Sequence, residues 1–294
     1  MAEPATLSLP APAKLNLFLH VTGRRDDGYH ELQTLFQLLD WGDTVQLESG
    51  PDGVIRQGAP VAGVAPERDL SLRAARLLRD TARAEGRPAG GATVTLEKRI
   101  PQGSGLGGAS TDAASVLLGL NFLWGAGFDT HRLAEMGRSL GADVPVFVRG
   151  RSAWAEGVGE VLTPVSLGER WYVLVFPDEG ASTASLFADP GLRRDAPRLA
   201  YDAQRDPSTL GNDFLPVLLR RSPVVARVHE RLRRFGAPRL TGSGSTLFLA
   251  VDDQAEAERL TSELKIHYNV RAVRGRDRST ALEALDRMKN KRKQ

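Results

Sequence analysis

Apolar and polar residues alternate along AKLNLFLHV, with Leu15, Leu17, Leu19 and Val21 on one face of an extended chain and Lys14, Asn16, Phe18 and His20 on the other. GRRDDGYH follows as a turn, and ELQTLFQLLDWGDTVQLES carries a second extended stretch. Residues 50–66, rich in Gly and Pro, read as loop with at most short strands. The spacing becomes helical from Asp69 to about Glu85, with Leu70, Ala74, Leu77 and Leu78 on one face. GATVTLEKRI predicts a strand that leads directly into a run of glycines. Beyond the glycines, Val116, Leu117, Leu120, Leu123 and Trp124 recur at helical spacing and predict a buried helix.

THRLAEMGRSLG predicts a further helix ending near Gly141, and ADVPVFVRGRSAWAEGVGEVLTPV reads as short strands with tight turns. RWYVLVFP is a buried strand. Helical segments around Phe214–Arg220 and Val224–Arg234 lead to PRLTGSGSTLFLAV, a glycine turn followed by a strand. DQAEAERLTSELK predicts an amphipathic helix and YNVRAVRG a last strand. Strands and helices are partly segregated, which argues for an α+β fold rather than a regular alternating parallel sheet. With 294 residues, two domains are expected, divided as 1–155 and 156–294.

Composition narrows the function. There are no cysteines, which excludes disulfides, thiolate metal sites and thiol nucleophiles and makes a reducing cytoplasm the expected location. No apolar run approaches the roughly 20 residues that cross a membrane, and the acidic, proline-broken MAEPATLSLP is no signal peptide. The basic pI of about 9.4 belongs to the C-terminus. Arg287, Lys289, Lys291, Arg292 and Lys293 supply five charges, and without them the formal charge falls from +3 to −2. A near-neutral body with a frayed basic tail argues against nucleic acid as a partner.

The glycine run carries the chemistry. Four glycines in six residues (Gly103, Gly105, Gly107, Gly108) between a strand and a helix bare the backbone where a helix start can hold an anion. A tight turn alone requires fewer. GSGLGG matches the dinucleotide pattern, with Asp129 about 20 residues onward, but no second strand lies between to carry that acid. The P-loop pattern fails because Ala109 stands where its lysine belongs, and the protein-kinase loop lacks its H-R-D and D-F-G partners.

The segment Pro101-Gln102-Gly103-Ser104-Gly105-Leu106-Gly107-Gly108-Ala109-Ser110 resembles the phosphate loop of the galactokinase, homoserine kinase, mevalonate kinase and phosphomevalonate kinase superfamily, P-x-x-x-G-L-G-[SG]-[SAG]-[SA]. The early PAPAKLNLFL and the late LTGSGSTLF match that superfamily in order. More narrowly, AKLNLFLHVTGRRDDGYHELQTLFQLLDWGD, GADVPVFVRGRSAWAEGVGE and RLTGSGS are similar to the 4-diphosphocytidyl-2-C-methyl-D-erythritol kinase family, from about Pro12 to Gly244. Departures are small: Ser104 and Ala109 stand where many members have glycine, and Thr111-Asp112 replaces a more usual Ser-Asn.

The resemblance implies a ribosomal-protein-like N-terminal domain, a ferredoxin-like C-terminal domain and a monomer or homodimer. It implies ATP-dependent phosphorylation of the 2-hydroxyl of a cytidine-diphosphate-linked methylerythritol, a small-molecule substrate of isoprenoid synthesis. Lys14 and Asp143 then match the catalytic pair, with Asp143 as general base. Residues Pro101 to Ser110, with Thr111, match the ATP site. Tyr29 and His30 match a cytosine pocket, Phe187 would close the other side of the base, and Asn16 would touch substrate. Bare sequence would instead make Tyr29 a core residue flanking the turn and His30 surface. Mg²⁺ is expected on charge grounds to neutralise the phosphates, with Ser110 and Thr111 as possible ligands and no ligand set singled out. Homoserine and mevalonate kinases would have no purpose for a cytidine pocket.

Overall fold

The computed structural model describes residues 5–50 and 53–291. Two long antiparallel strands, β1 (Thr6–Arg24) and β2 (His30–Gly50), are joined by the RDDG turn, in which Gly28 takes a φ of 86°. β3 (Ile55–Gln57) and β4 (Gly91–Glu97) extend the sheet on one side of β2, while β5 (Ala153–Glu156) and β6 (Val161–Pro164) pair beside it. β10 (Asn269–Arg276) links β2 to the second set, β7 (Trp171–Phe176), β9 (Leu247–Val251) and β8 (Arg239–Leu240). The order β3-β4-β2-β10-β7-β9-β8 makes one continuous sheet, so the two halves share a hydrogen-bonded seam at Leu38–Leu39 and Gly275–Arg276.

Helix α1 (Leu70–Ala84) begins where Asp69 accepts a bond from Ser71 N. α2 (Gly108–Trp124) opens directly from the glycine run and ends at Gly125 in the left-handed conformation. α3 (Thr130–Leu140) is capped by Asp129, whose carboxylate accepts from Arg132 N, so the acid that mimicked a dinucleotide motif is a helix cap. α4 (Val144–Arg149) corrects the expectation of strands there. Pro145 in the first turn supplies the helical φ and needs no donor, which overrides the β-preference of the valines. α5 (Thr183–Phe187), α6 (Phe214–Arg221), α7 (Pro223–Leu232) and α8 (Gln254–Leu264) belong to the second half.

The tail is the second correction. Residues Thr280–Lys291 form helix α9, which buries Ala281, Ala284 and Leu285, and Ala284 and Leu285 join the core around α2. Arg287, Lys289 and Lys291 are therefore on a packed helix, and Arg292 and Lys293 lie outside the described residues.

β1 threads all three apolar clusters. Leu7 and Leu9 pack with α1 to α4 and α9, Leu15, Leu17 and Phe18 with Trp154 and Tyr172, and Leu19 and Val21 with α6 to α8. Strict alternation is broken by register shifts between Pro12 and Lys14, Asn16 and Leu19, and Val21 and Gly23. Leu17 and Phe18 are thus both buried, and the face assignment made from periodicity holds only locally. The first two shifts bracket Lys14 and Asn16. Such bulges re-aim side chains, and here they turn a lysine and an asparagine inward from an otherwise apolar strand.

Candidate active site

Among the described strands β1 pairs with β2, and some of its backbone donors find other partners at the bulges. Lys14 N–H donates to Leu106 O of the glycine loop (3.1 Å), and Asn16 N–H donates to Thr241 Oγ1 of the late glycine turn (2.9 Å). Both loops are thereby tied to the same three residues of one strand. They also touch each other: Thr246 N–H donates to Ser104 O at 3.3 Å. A Cβ on Gly105 would meet Thr241 O at 2.3 Å, and Gly105 has a φ of 78°, so no other residue fits. Gly107, also at 78°, would meet the Phe147 ring at 2.7 Å. At these two positions glycine is required by close packing as well as by any ligand.

Gly107 is the residue before α2 and provides no side-chain cap, and no acid lies in the helix's first turn. Backbone N–H groups at that helix start and the positive dipole end are left facing the cleft, the arrangement that binds a phosphate.

Two cavities share this loop. The larger, about 1040 Å³, is lined by Lys14, Asn16, Tyr29, His30, Asp143 and Phe187, together with Gly103, Gly105, Gly107 and Ser110. The smaller, about 430 Å³, is lined by residues 101–105 and 107–110 and walled by Val61, Val64, Leu96 and Ile100. Of the residues singled out from sequence, Leu106 and Thr111 line neither. Leu106 is fully buried and contributes its carbonyl to Lys14, and Thr111 is fully buried in α2.

Lys14 is 2% exposed. Its ammonium donates to Asn16 Oδ1 (2.5 Å) and Gly105 O (3.0 Å), lies 3.4 Å from Asp143 Oδ2 and sits 5.3 Å from the centre of the Phe36 ring. A buried ammonium without partners would be prohibitively costly, and these contacts meet that requirement. Asp143 precedes α4 but does not cap it, and its side chain is one-third exposed at 33%. Its carboxylate is therefore free to face the cavity. Asn16 is held on both sides, with its Nδ2 donating to Thr34 Oγ1 at 2.9 Å.

At the far end of the cavity Tyr29 is 65% exposed, which rules out the core role that bare sequence would give it. Its backbone is fixed by the turn, where Arg25 N–H donates to Tyr29 O (2.7 Å) and Tyr29 N–H to Asp27 Oδ1 (3.1 Å). His30 is only partly buried, and Phe187 stacks on it with centroids 4.6 Å apart. That spacing leaves no room for a base between those two rings, so a base against Phe187 has to lie on the face that His30 does not cover. Burial, the Arg194 charge and the Arg24 charge hold His30 below the ordinary imidazole range.

Sequence reasoning missed a charge cluster beneath the loop. Lys98, just before the loop, bridges Asp43 and Asp112, the latter at 2.5 Å, and Asp43 also accepts from Arg99 N (2.5 Å) and Ile100 N (2.7 Å). The strand end and the helix start are thus stapled to one another across the loop. Burial pushes the Asp112 carboxyl up to about 7, with Lys98 pulling it down and Asp43 pushing it further up. Lys98 is raised, although burial lowers it, because both carboxylates hold its proton. Only the fold brings these three together, from separate segments of sequence.

Asp112 therefore carries a prediction. Its native carboxyl holds a proton more tightly than the unfolded one, so its contribution to stability is present below about pH 4 and is lost as pH rises through about 7. Asp112→Asn flattens the fall in melting temperature over that window. A slope equal to wild type contradicts the assignment.

Among the described residues no group of three or more His, Asp or Glu is placed to hold a metal ion, and no helix is long and apolar enough to cross a membrane.

Residues 69–151 match the family model of the GHMP kinases N terminal domain, and residues 193–270 that of the GHMP kinases C terminal. The 4-diphosphocytidyl-2-C-methyl-D-erythritol kinase of Xanthomonas oryzae pv. oryzae is 52% identical over 281 residues, covering 95% of this chain and 94% of its own. That of Pseudomonas aeruginosa is 50% identical over 261 residues, covering 89% and 91%. The crystal structure of a 4-(cytidine 5'-diphospho)-2C-methyl-D-erythritol kinase superposes with a TM-score of 0.79 at 34% identity, covering 92% of this chain and 99% of the other. A mevalonate kinase crystal structure shares the fold, with a TM-score of 0.62 at 15% identity. With half of its residues identical to these kinases over nearly its whole length, the chain belongs to the 4-diphosphocytidyl-2-C-methyl-D-erythritol kinase family of GHMP kinases.

Proposed function

We propose that the protein transfers the γ-phosphoryl group of ATP to the 2-hydroxyl of 4-diphosphocytidyl-2-C-methyl-D-erythritol, giving the 2-phosphate in the methylerythritol phosphate route to isoprenoids. The observation that carries this reading is the Lys14–Asp143 pair at the lip of the phosphate loop, with Lys14 Nζ 3.4 Å from Asp143 Oδ2 and 3.0 Å from Gly105 O. ATP enters from the smaller cavity, its base and ribose against Val61, Val64, Leu96 and Ile100. Its phosphates reach the start of α2 through Gly103 to Ser110. The acceptor occupies the larger cavity, its hydroxyl beside Asp143 and its cytosine at the Tyr29 end.

Phosphoryl transfer through a loose transition state needs alignment and charge neutralisation more than covalent help. Asp143 takes the proton of the tertiary hydroxyl as the oxygen attacks phosphorus. Lys14 lies 3.4 Å from that carboxylate and faces the charge that develops on the transferring group. The α2 N–H groups hold the phosphate oxygens throughout. A bound Mg²⁺ would neutralise phosphate charge in this scheme. Ser110, which lines both cavities, is the hydroxyl suited to reach it, whereas Thr111 is buried away from both.

A division at residues 155 and 156 would fall within β5, whose pairing with β2 and β6 belongs to the first half; this reading has an N-terminal half that bears the loop and the pair and a C-terminal half that bears Phe187 and the late glycine turn. Helix α9 returns from the second half to the first core.

Tyr29→Ala tests the acceptor assignment. Loss of an open stacking face weakens cytidine diphosphate binding by about 1–3 kcal/mol, and Tyr29→Phe costs far less. ATP-analogue affinity stays intact in both. Equal weakening of both ligands means a damaged fold, and no weakening of either removes the cytidine pocket.

A further inference from the structure

Arg194 lies in the irregular segment after α5 and lines the larger cavity. Its guanidinium Nη2 donates to the carbonyls of Phe187 (2.6 Å) and Asp189 (2.9 Å), and Nη1 to that of Leu192 (3.0 Å). These bonds fold the chain after α5 around the guanidinium, and they leave Nε–H aimed across the cleft. Nε–H donates to His30 Nε2 at 3.2 Å.

A guanidinium has five donors, no acceptor, and does not lose its charge. The ring nitrogen that accepts from it must therefore carry a lone pair. His30 is then neutral, with its proton on Nδ1. The same contact fixes the ring's place, because His30 stacks on Phe187 (4.6 Å, 24° between planes) and Phe187 in turn meets Phe214 edge to face at 4.8 Å. His30 opens β2 in the first half of the chain, and Phe187 ends α5 in the second. Arg194 joins them.

We infer that Arg194 is a positioning residue of the acceptor subsite: it fixes His30 as the neutral Nδ1–H tautomer and locks that ring on Phe187. The inference rests on the cytidine reading of this cavity. A ring held in one tautomer offers a donor at Nδ1, and cytosine presents acceptors at O2 and N3. Protonation of His30 removes the lone pair that Arg194 requires and sets two positive charges against each other. The subsite therefore comes apart as His30 gains a proton.

The charges around His30 agree with this. Arg194 faces it from the segment after α5 and Arg24 from the end of β1, and both add to burial in lowering its affinity for a proton. The nearby acids are partnered, Asp27 of the turn with Arg25 at 2.8 Å and Glu31 of β2 with Arg198. Phe187 of α5 and Phe214 of α6 bring no charge.

The test uses the full chain with Arg194→Gln, which removes the charge, and Arg194→Lys, which keeps the charge and loses the fork. Three readouts are needed: KM and kcat for the diphosphocytidyl substrate across pH, KM for ATP, and the His30 imidazole titration by NMR, assigned with His30→Asn. For Arg194→Gln, substrate KM rises roughly tenfold or more, the scale for losing a hydrogen bond to a charged group, the loss falls on KM rather than kcat, and ATP KM stays in place. Removing the positive neighbour raises the His30 pKa, so the acid limb of kcat/KM moves to higher pH. Arg194→Lys raises substrate KM but leaves that limb near its wild-type position. An unmoved acid limb and His30 titration in Arg194→Gln overturn the proposal, as does equal weakening of ATP and substrate with a lowered melting temperature. Should Arg194→Gln fail to fold, an unchanged substrate KM in Arg194→Lys overturns it. Tyr29→Ala separates the two levels. If it weakens cytidine diphosphate while the Arg194 variants are silent, the pocket stands and this role for Arg194 falls; if it is silent too, the cytidine reading falls and this inference with it.

Discussion

Replacing Asp143 with Asn lowers kcat by roughly 10²- to 10⁴-fold while ATP affinity holds. The amide keeps the size of the carboxylate and an oxygen for Lys14, and only the base is lost. Because Asp143 is one-third exposed and caps no helix, the substitution removes no structural bond from α4. Melting temperature and nucleotide titration then report an intact protein, and pre-steady-state phosphoryl transfer reports the slowed step. Near-wild-type turnover in Asp143→Asn would leave the hydroxyl proton without an assigned acceptor and would remove Asp143 from the chemistry.

Lys14→Met lowers kcat by roughly 10²- to 10³-fold, the scale for losing one preorganised charge-stabilising group. Methionine matches the stem and suits the Phe36 ring beside it, so packing is largely kept. Asn16 Oδ1 and Gly105 O lose their donor, which costs stability on the order of 1–3 kcal/mol for each buried acceptor left unmet. The cost in rate exceeds what that loosening explains, because Lys14 touches the base, the loop and the strand at once. Combining Lys14→Met with Asp143→Asn gives a loss smaller than the product of the two, as for groups that act as a unit. A Lys14 variant impaired only in KM would point to a binding role. Multiplicative losses would mean that the two residues act independently.

Much of the architecture was legible where one physical signal dominated locally. α1 announced itself through its apolar spacing, and β7 through an unbroken apolar run. The glycine loop could be read as an anion site because its strand, glycines and helix are contiguous. Lys14 was legible too, since a lysine in an apolar strand demands a partner, although the partner 129 residues later came only through family likeness. α4 was misread because its valines favour strands, and Asp143-Val144-Pro145 was not weighed as a helix start. α9 was hidden by its own charge: its basic residues suggested a frayed end while Ala281, Ala284 and Leu285 carried the helical spacing. The Asp43–Lys98–Asp112 staple and the reach of Arg194 to His30 join distant segments and have no local signature. Tyr29 shows the converse, since an aromatic beside a turn is ordinarily core, and only the fold reveals it to be open to solvent.

The most direct test is an ATP-consumption assay with Mg²⁺ in which the acceptor alone is varied among 4-diphosphocytidyl-2-C-methyl-D-erythritol, mevalonate and homoserine, with ³¹P NMR of the product. The account predicts consumption only with the cytidine-bearing acceptor, one new phosphomonoester resonance at the 2-position, and loss of that signal in Asp143→Asn. Consumption with mevalonate or homoserine and none with the cytidine-bearing acceptor would contradict it.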